Sequence, residues 1–279
     1  MSARLALALS VQRLRPVVLA ADGSAYVLDR LNRSRYRTLS ESELLATPTS
    51  DTAFVFGSGR SLLEITPDEW QRIAACNTLG FSEFHRQDFV RADYHMVGEV
   101  ADEAGMDHRE GLREYARLLG ENPLYAGTVL FLQEGWPARD SNELVGRRLL
   151  PPGARLFRYR RTSRGVFASP TRSFGEGVTH GWNSAISATN LALLLGYRQI
   201  VLAGVDMYDR GYFWLPEGAR RVNVPPSSSV DEPFPTAADV VELFRRWRRL
   251  LQPDGVELAV YNARSLLADA LPVFSWSAA

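Results

Sequence analysis

The stretch from His180 to Tyr212, HGWNSAISATNLALLLGYRQIVLAGVDMYDRGY, constrains this chain more than any other. It reads as a buried helix feeding a buried strand. Asn183 or Ser184 can cap the helix, and Ala185, Ala188, Leu191, Ala192, Leu194 and Leu195 supply a small, apolar packing face. Gly196 suits the left-handed position that ends such a helix. Ile200 to Ala203 then form a short unbroken apolar run, the pattern of a strand covered on both faces. At Gly204 the run stops and polar and aromatic groups begin: Asp206, Tyr208, Asp209, Arg210 and Tyr212. Ligands of open parallel sheets bind beyond the carboxyl ends of the strands. Two site elements are therefore predicted, a helix N-terminus at Asn183 and Ser184 and a loop rich in acceptors and phenols after the strand.

The rest of the chain alternates in the same way. Ala53 to Phe56 is a short apolar strand that runs straight into GSGRSL, Gly57 to Leu62. A strand entering a glycine-rich turn can bring backbone N–H groups close to phosphate. The turn lacks the P-loop lysine and the full dinucleotide fingerprint, so a tight strand-to-helix turn explains it equally well. Thr66-Pro67-Asp68-Glu69 has the form of a capping box with proline at the first helical position. Ile73 to Cys76 reads as a second strand, and Asn77 after it is placed to contact a base or ribose. Helices are expected over 82–89, 109–119 and 236–251, the last with Thr236 as N-cap. Strands are expected over 92–98, with His95 inside, and over 128–133, 154–159 and 256–260. This alternation predicts an α/β fold with a doubly wound, mostly parallel sheet.

At 279 residues the chain suits one large domain with a small appendage. Residues 1–50 form the appendage. Within them PVVLAADGSAYVLD has two apolar runs around Asp22-Gly23, which predicts a β-hairpin. Residues 51–279 form the main domain. It holds two irregular, lid-like stretches, 160–179 with Arg160, Arg161, Arg164 and Arg172, and 213–235. Lys+Arg and Asp+Glu both total 32, which speaks against a broad nucleic-acid-binding face. The single cysteine, Cys76, excludes an intramolecular disulfide and fits a reducing compartment. The N-terminal LALALSV is too short to span a membrane. A cytoplasmic location is expected, with peripheral contact to the inner membrane left open.

GSGRSL after a strand, Asn77 after the next, and NSAISATNLALLLGYRQIVLAGVDMYD together resemble the bacterial CMP-sialic-acid-dependent sialyltransferases and their broader relatives grouped with motility accessory factors. YNARSLLADAL resembles that family's closing strand and turn, and the likeness covers roughly residues 52–270. The resemblance implies a single Rossmann-like domain of GT-A type, with a lid over a CMP-sugar donor and no metal or other cofactor. By position it places Gly57, Ser58, Gly59, Ser61 and Asn77 on the nucleotide, with Ser184 near the nucleotide or donor. Tyr208 matches a tyrosine that contacts the leaving phosphate, and Tyr212 stands as a second. Asn183, Gly204 and Asp206, at the same helix start and strand end, complete the expected binding set. The implied partners are the donor and a glycan or lipid-linked acceptor in surface polysaccharide synthesis, with no nucleic acid; a homo-oligomer is left open.

One departure matters. The family's general-base histidine lies in the lid, whereas this sequence has no histidine after His180, and Phe234 falls at about that place. His180 is the nearest alternative, and a base needs hydrogen-bond reach and a suitable pKa. Two other readings stand beside the glycosyltransferase. One is a Mg²⁺-dependent diphosphokinase related to the pterin diphosphokinases, with Asp206 and Asp209 as candidate metal ligands. The other is a non-catalytic nucleotide-binding relative that lacks the base.

Overall fold

Short apolar runs give the strands, and amphipathic or small-residue helices cover them. The computed structural model describes residues 16–98, 100, 107–136, 138–162, 168–181, 183–208, 211–217, 219 and 237–276. Eight strands form one sheet: β1 (Arg37–Thr38), β2 (Thr52–Phe56), β3 (Asn77–Phe81), β4 (Tyr94–Met96), β5 (Val129–Gln133), β6 (Arg155–Tyr159), β9 (Gln199–Ala203) and β10 (Glu257–Val260). Their order is β1-β6-β5-β4-β3-β2-β9-β10, and every neighbouring pair is parallel. A separate parallel ladder joins β7 (Arg161–Thr162) to β8 (Val178–Thr179).

Alternation along the strands divides the core into two faces. Ala53 and Val55 of β2 pack with α6 (Ser184–Leu194) and α7 (Ala237–Leu251). Phe54 and Phe56 point the other way, toward Trp70 and Ile73 of α3 (Pro67–Ile73) and toward Phe84. Farther along that second face, Leu130 and Leu132 of β5 meet α4 (His108–Glu121) and α5 (Arg139–Gly146). This is the expected doubly wound α/β architecture. Strand order reverses between β2, which leads to β3 and β4 on one side, and β9 and β10 on the other.

Three expectations are corrected. PVVLAADGSAYVLDRLN is one helix, α1 (Pro16–Asn32), and contains no hairpin. Ala25 and Asp29 are buried, and Leu28 and Asp29 crowd Gly146 of α5, so the contact positions follow helical spacing. The local Asp-Gly turn signal yields to this helix-on-helix docking. The segment after α1 joins the main sheet through β1. Ser40 and Glu43 there form a capping box on α2 (Glu41–Leu45), whose Leu44 enters the core.

The second correction concerns Ile73 to Cys76. α3 ends at Ile73, and the strand begins only at Asn77. Gly80 obscured it, since glycine is poor strand material. A Cβ at Gly80 would overlap the Phe84 ring and stand 2.9 Å from His95 Nδ1, so packing demands glycine there. The third concerns the stretch 160–179. Its described part is tied down: Asn190 Oδ1 of α6 accepts from the Thr171 hydroxyl at 2.7 Å and the Thr179 N–H at 2.7 Å. Trp247 Nε1 donates to the Ala168 carbonyl at 2.7 Å. Arg164, Asp209, Arg210, Thr236 and most of 213–235 lie outside the described residues. Among the described residues no helix is long and apolar enough to cross a membrane.

Candidate functional site

Two turns meet where the strand order reverses. The turn after β2 donates Gly57 N–H to the Ala203 carbonyl at 2.9 Å and Gly59 N–H to the Gly204 carbonyl at 2.7 Å. Ser61 gives both its N–H, at 3.0 Å, and its hydroxyl to the carboxylate of Asp206, which is 4% exposed. A Cβ on Gly57 would overlap the Gly204 carbonyl, and one on Gly59 would strike the Asp206 carboxylate. Gly204 itself has φ of +64°. The glycines are therefore required by turn-on-turn packing. This corrects the expectation that these N–H groups face a phosphate: those of Gly57, Gly59 and Ser61 are spent on the last residue of β9 and the loop after it.

Above the clamp lies a crevice of about 170 Å³. Its lining comes from Gly57, Ser58 and Gly59 after β2, Phe81, Ser82 and Glu83 at the end of β3, Asn183, the stretch Gly204 to Met207, Gly211 and Tyr212. Asn183 caps α6 as predicted, its Oδ1 accepting the Ala185 N–H at 2.8 Å. Tyr212 pairs with Gly59 in an antiparallel bridge and stacks on Trp214, ring centroids 6.0 Å apart. Ser58 receives the Glu83 N–H at 3.1 Å on its hydroxyl. Ser82 and Met207 hold φ of +53° and +64°, a region that side chains with a Cβ seldom occupy. Such outliers gather at functional sites, where surrounding structure enforces them.

The structure thus brings together Gly57, Ser58, Gly59, Asn183, Gly204, Asp206 and Tyr212, with Ser61 beneath them on Asp206. Other predicted residues do not line the crevice. Ser184 opens α6 beside Gly98. The Tyr208 hydroxyl accepts from Arg264 Nη2 at 3.4 Å, next to the Arg264–Glu64 ion pair. His180 extends the β7–β8 ladder, with Nδ1 and the Ser187 hydroxyl 2.9 Å apart. Burial, aided by the nearby Arg161 charge, pushes its pKa down to about 4, so the imidazole is neutral at pH 7 and a weak base. Asn77 is the first residue of β3, at the opposite end of the sheet. Its Oδ1 accepts from Thr49 and Ser50 N–H groups at 2.8 and 3.0 Å, anchoring the chain that enters β2. His95 is a core residue between the hydroxyls of Tyr115 and Tyr125, at 2.9 and 3.1 Å.

Sequence reasoning missed Ser82, Glu83 and Met207. Placing β3 correctly at NTLGF would have exposed SEF as the polar segment after a strand. Glu83 is 7% exposed, and its carboxylate accepts from Arg86 Nε at 2.7 Å. Arg86 in turn lies over the Trp214 ring, 4.6 Å from its centroid. Among the described residues no three His, Cys, Asp or Glu side chains come together as a metal-ligand set.

No family model matches this chain, and no curated protein matches it significantly in sequence. Among solved structures it is similar to the monofunctional α-2,3-sialyltransferase Cst-I of Campylobacter jejuni, with 16% identity, 80% of each chain covered and a TM-score of 0.46.

Proposed function

We propose that this chain is a glycosyltransferase that holds a nucleotide-activated sugar in the crevice between the turns after β2 and β9. The donor is a CMP-linked nonulosonate, and the acceptor is a glycan or lipid-linked glycan. One observation carries the reading. Two segments of the sialyltransferase resemblance, the specific NSAISATNLALLLGYRQIVLAGVDMYD and the glycine turn GSGRSL, which adds to it through order and spacing, converge on a single crevice at the point of strand-order reversal, where doubly wound sheets bind nucleotides. The N-terminal end of α6, at Asn183, offers partial positive charge to the donor phosphate. The Tyr212 phenol supplies a hydrogen bond that strengthens as the phosphate gains charge on departure. Asp206 gives both carboxylate oxygens to Ser61, whereas Glu83 lines the crevice with Arg86 Nε on one oxygen, and Glu83 is our assignment for the group that takes the acceptor's proton.

The test is a thermal-shift series with CMP, CDP, UDP, GDP and ATP, each with and without Mg²⁺. CMP without metal is expected to raise Tm. At a hundredfold excess over Kd the gain is about 2.7 kcal/mol, or roughly 5–10 °C for a chain of this size. Stabilisation by UDP alone would overturn the CMP assignment, and stabilisation by ATP only with Mg²⁺ would select the diphosphokinase.

A further inference from the structure

A second cleft, of about 330 Å³, lies at the other end of the sheet. Asn77, Tyr94, Val129 and Arg155, the first residues of the neighbouring strands β3, β4, β5 and β6, all line it. The glycosyltransferase reading makes no use of this end.

Two guanidiniums converge there on Gly127. Arg155 Nη1 donates to the Gly127 carbonyl at 3.2 Å. Arg91 Nη2 lies 3.9 Å from the point where a Cβ on residue 127 would stand. Among the described residues neither arginine meets a carboxylate within 4.0 Å. Arg158, three positions along the same strand, shows the usual alternative, since it pairs with Asp29. Arg155 Nε is buried from solvent without an acceptor, although buried donors are normally satisfied. The carboxylate of the cleft, Asp93, is already engaged by neutral donors: its Oδ2 accepts from Asn77 Nδ2 at 3.1 Å and the Thr78 N–H at 3.0 Å.

We infer that this cleft is a second binding site, which takes a phosphate-type oxyanion between Arg91 and Arg155. Planar guanidinium forks match the oxygens of such an anion, and two of them exceed the single charge of Asp93. The volume admits more than bare phosphate, so a free phosphate and the phosphate ester of a small molecule share the required chemistry.

Calorimetric titration of the full chain with inorganic phosphate and with glucose 1-phosphate, against chloride at matched ionic strength, tests this. Wild type should bind at least one of them more tightly than chloride. Arg91→Gln should weaken that binding by on the order of tenfold, and Arg91→Gln with Arg155→Gln should abolish it. Tighter binding of the ester would identify an ester as the ligand, and equal binding would identify the phosphate group alone. Binding no stronger than chloride, or undiminished in Arg91→Gln, would overturn the proposal. Arg91 is exposed and its side chain holds no partner among the described residues, so the single variant decides the matter even where the double variant melts early. CMP affinity measured on the same samples reports the crevice at the opposite end, and the phosphate result stands whether or not CMP binds.

Discussion

Tyr208 and Tyr212 follow the same strand, yet only Tyr212 reaches the crevice. Tyr208 is turned outward to Arg264, whose guanidinium also serves Glu64. Tyr→Phe removes one hydroxyl and keeps the ring, so folding should hold in both variants. A donor that strengthens its bond only as charge develops lowers the barrier without tightening ground-state binding. Tyr212→Phe should therefore reduce kcat by on the order of a hundredfold with little change in the donor's KM. Tyr208→Phe should reduce it by less than about threefold. Steady-state kinetics with a CMP-linked donor distinguish the two, and the reverse ranking would move the leaving phosphate out of the crevice.

At the scale of elements, the β2 turn is fixed by what it touches. Gly59 has φ of −66°, which any residue can adopt, so its need for glycine is purely steric. A Cβ there would stand 2.7 Å from the Gly204 carbonyl oxygen and closer still to the Asp206 carboxylate. Gly59→Ala should cost about 1–3 kcal/mol, roughly 3–10 °C in Tm, and nucleotide binding should fall with it. A variant that melts like wild type and loses only the nucleotide would show that the glycine serves the ligand. The helix α1 is anchored by a buried charge. Asp29 is 1% exposed and binds Arg158 of β6 and, at 2.5 Å, Arg33. Removing one partner of a buried pair strands the other, so Asp29→Ala should cost about 3–5 kcal/mol. Chemical denaturation measures this, and a loss under about 1 kcal/mol would mean that α1 does not dock through the pair.

The whole molecule carries a pH dependence. Burial pushes His85 down to about 4 and His95 well below its ordinary value, and His180 is likewise pushed to about 4. Each stays neutral in the fold, while the unfolded chain takes up protons below about pH 6.5. Over that window the unfolded state binds more protons, so stability is full above pH 6.5 and is lost as the pH falls toward 4. Tm should be level from about pH 7 to 8 and drop steadily between about 6.5 and 4. His85 is 1% exposed, its ring lies 4.4 Å from that of Tyr115, and its Nε2 has no hydrogen-bond partner. His85→Phe gives up the 3.3 Å contact of Nδ1 with the Ser82 carbonyl oxygen but keeps the ring packing, and should flatten part of the slope. An unchanged slope would remove His85 from the effect.

The sequence by itself determined the features that depend on neighbours a few residues away. The apolar runs of β2, β5, β6, β9 and β10, the caps at Thr66 and Asn183, and the left-handed Gly196 are local matters of burial pattern and of bonds within one helical turn. Strand ends and helix starts then marked Gly57, Gly59, Asn183, Gly204, Asp206 and Tyr212, because a doubly wound sheet must gather such points at one edge. Tertiary structure alone decided the rest. The Asp-Gly pair in α1 gives a turn signal that only the surface of α5 overrides, and Gly80 hid β3 because the ring that requires it comes from Phe84 beyond the strand. That error placed Asn77 at the wrong end of the sheet and hid Glu83. Whether the glycine-turn N–H groups face a ligand or a neighbouring loop was settled by the contact of Ser61 with Asp206, 145 residues later in the chain. No local pattern encodes that pairing, since it exists only once β2 and β9 lie side by side.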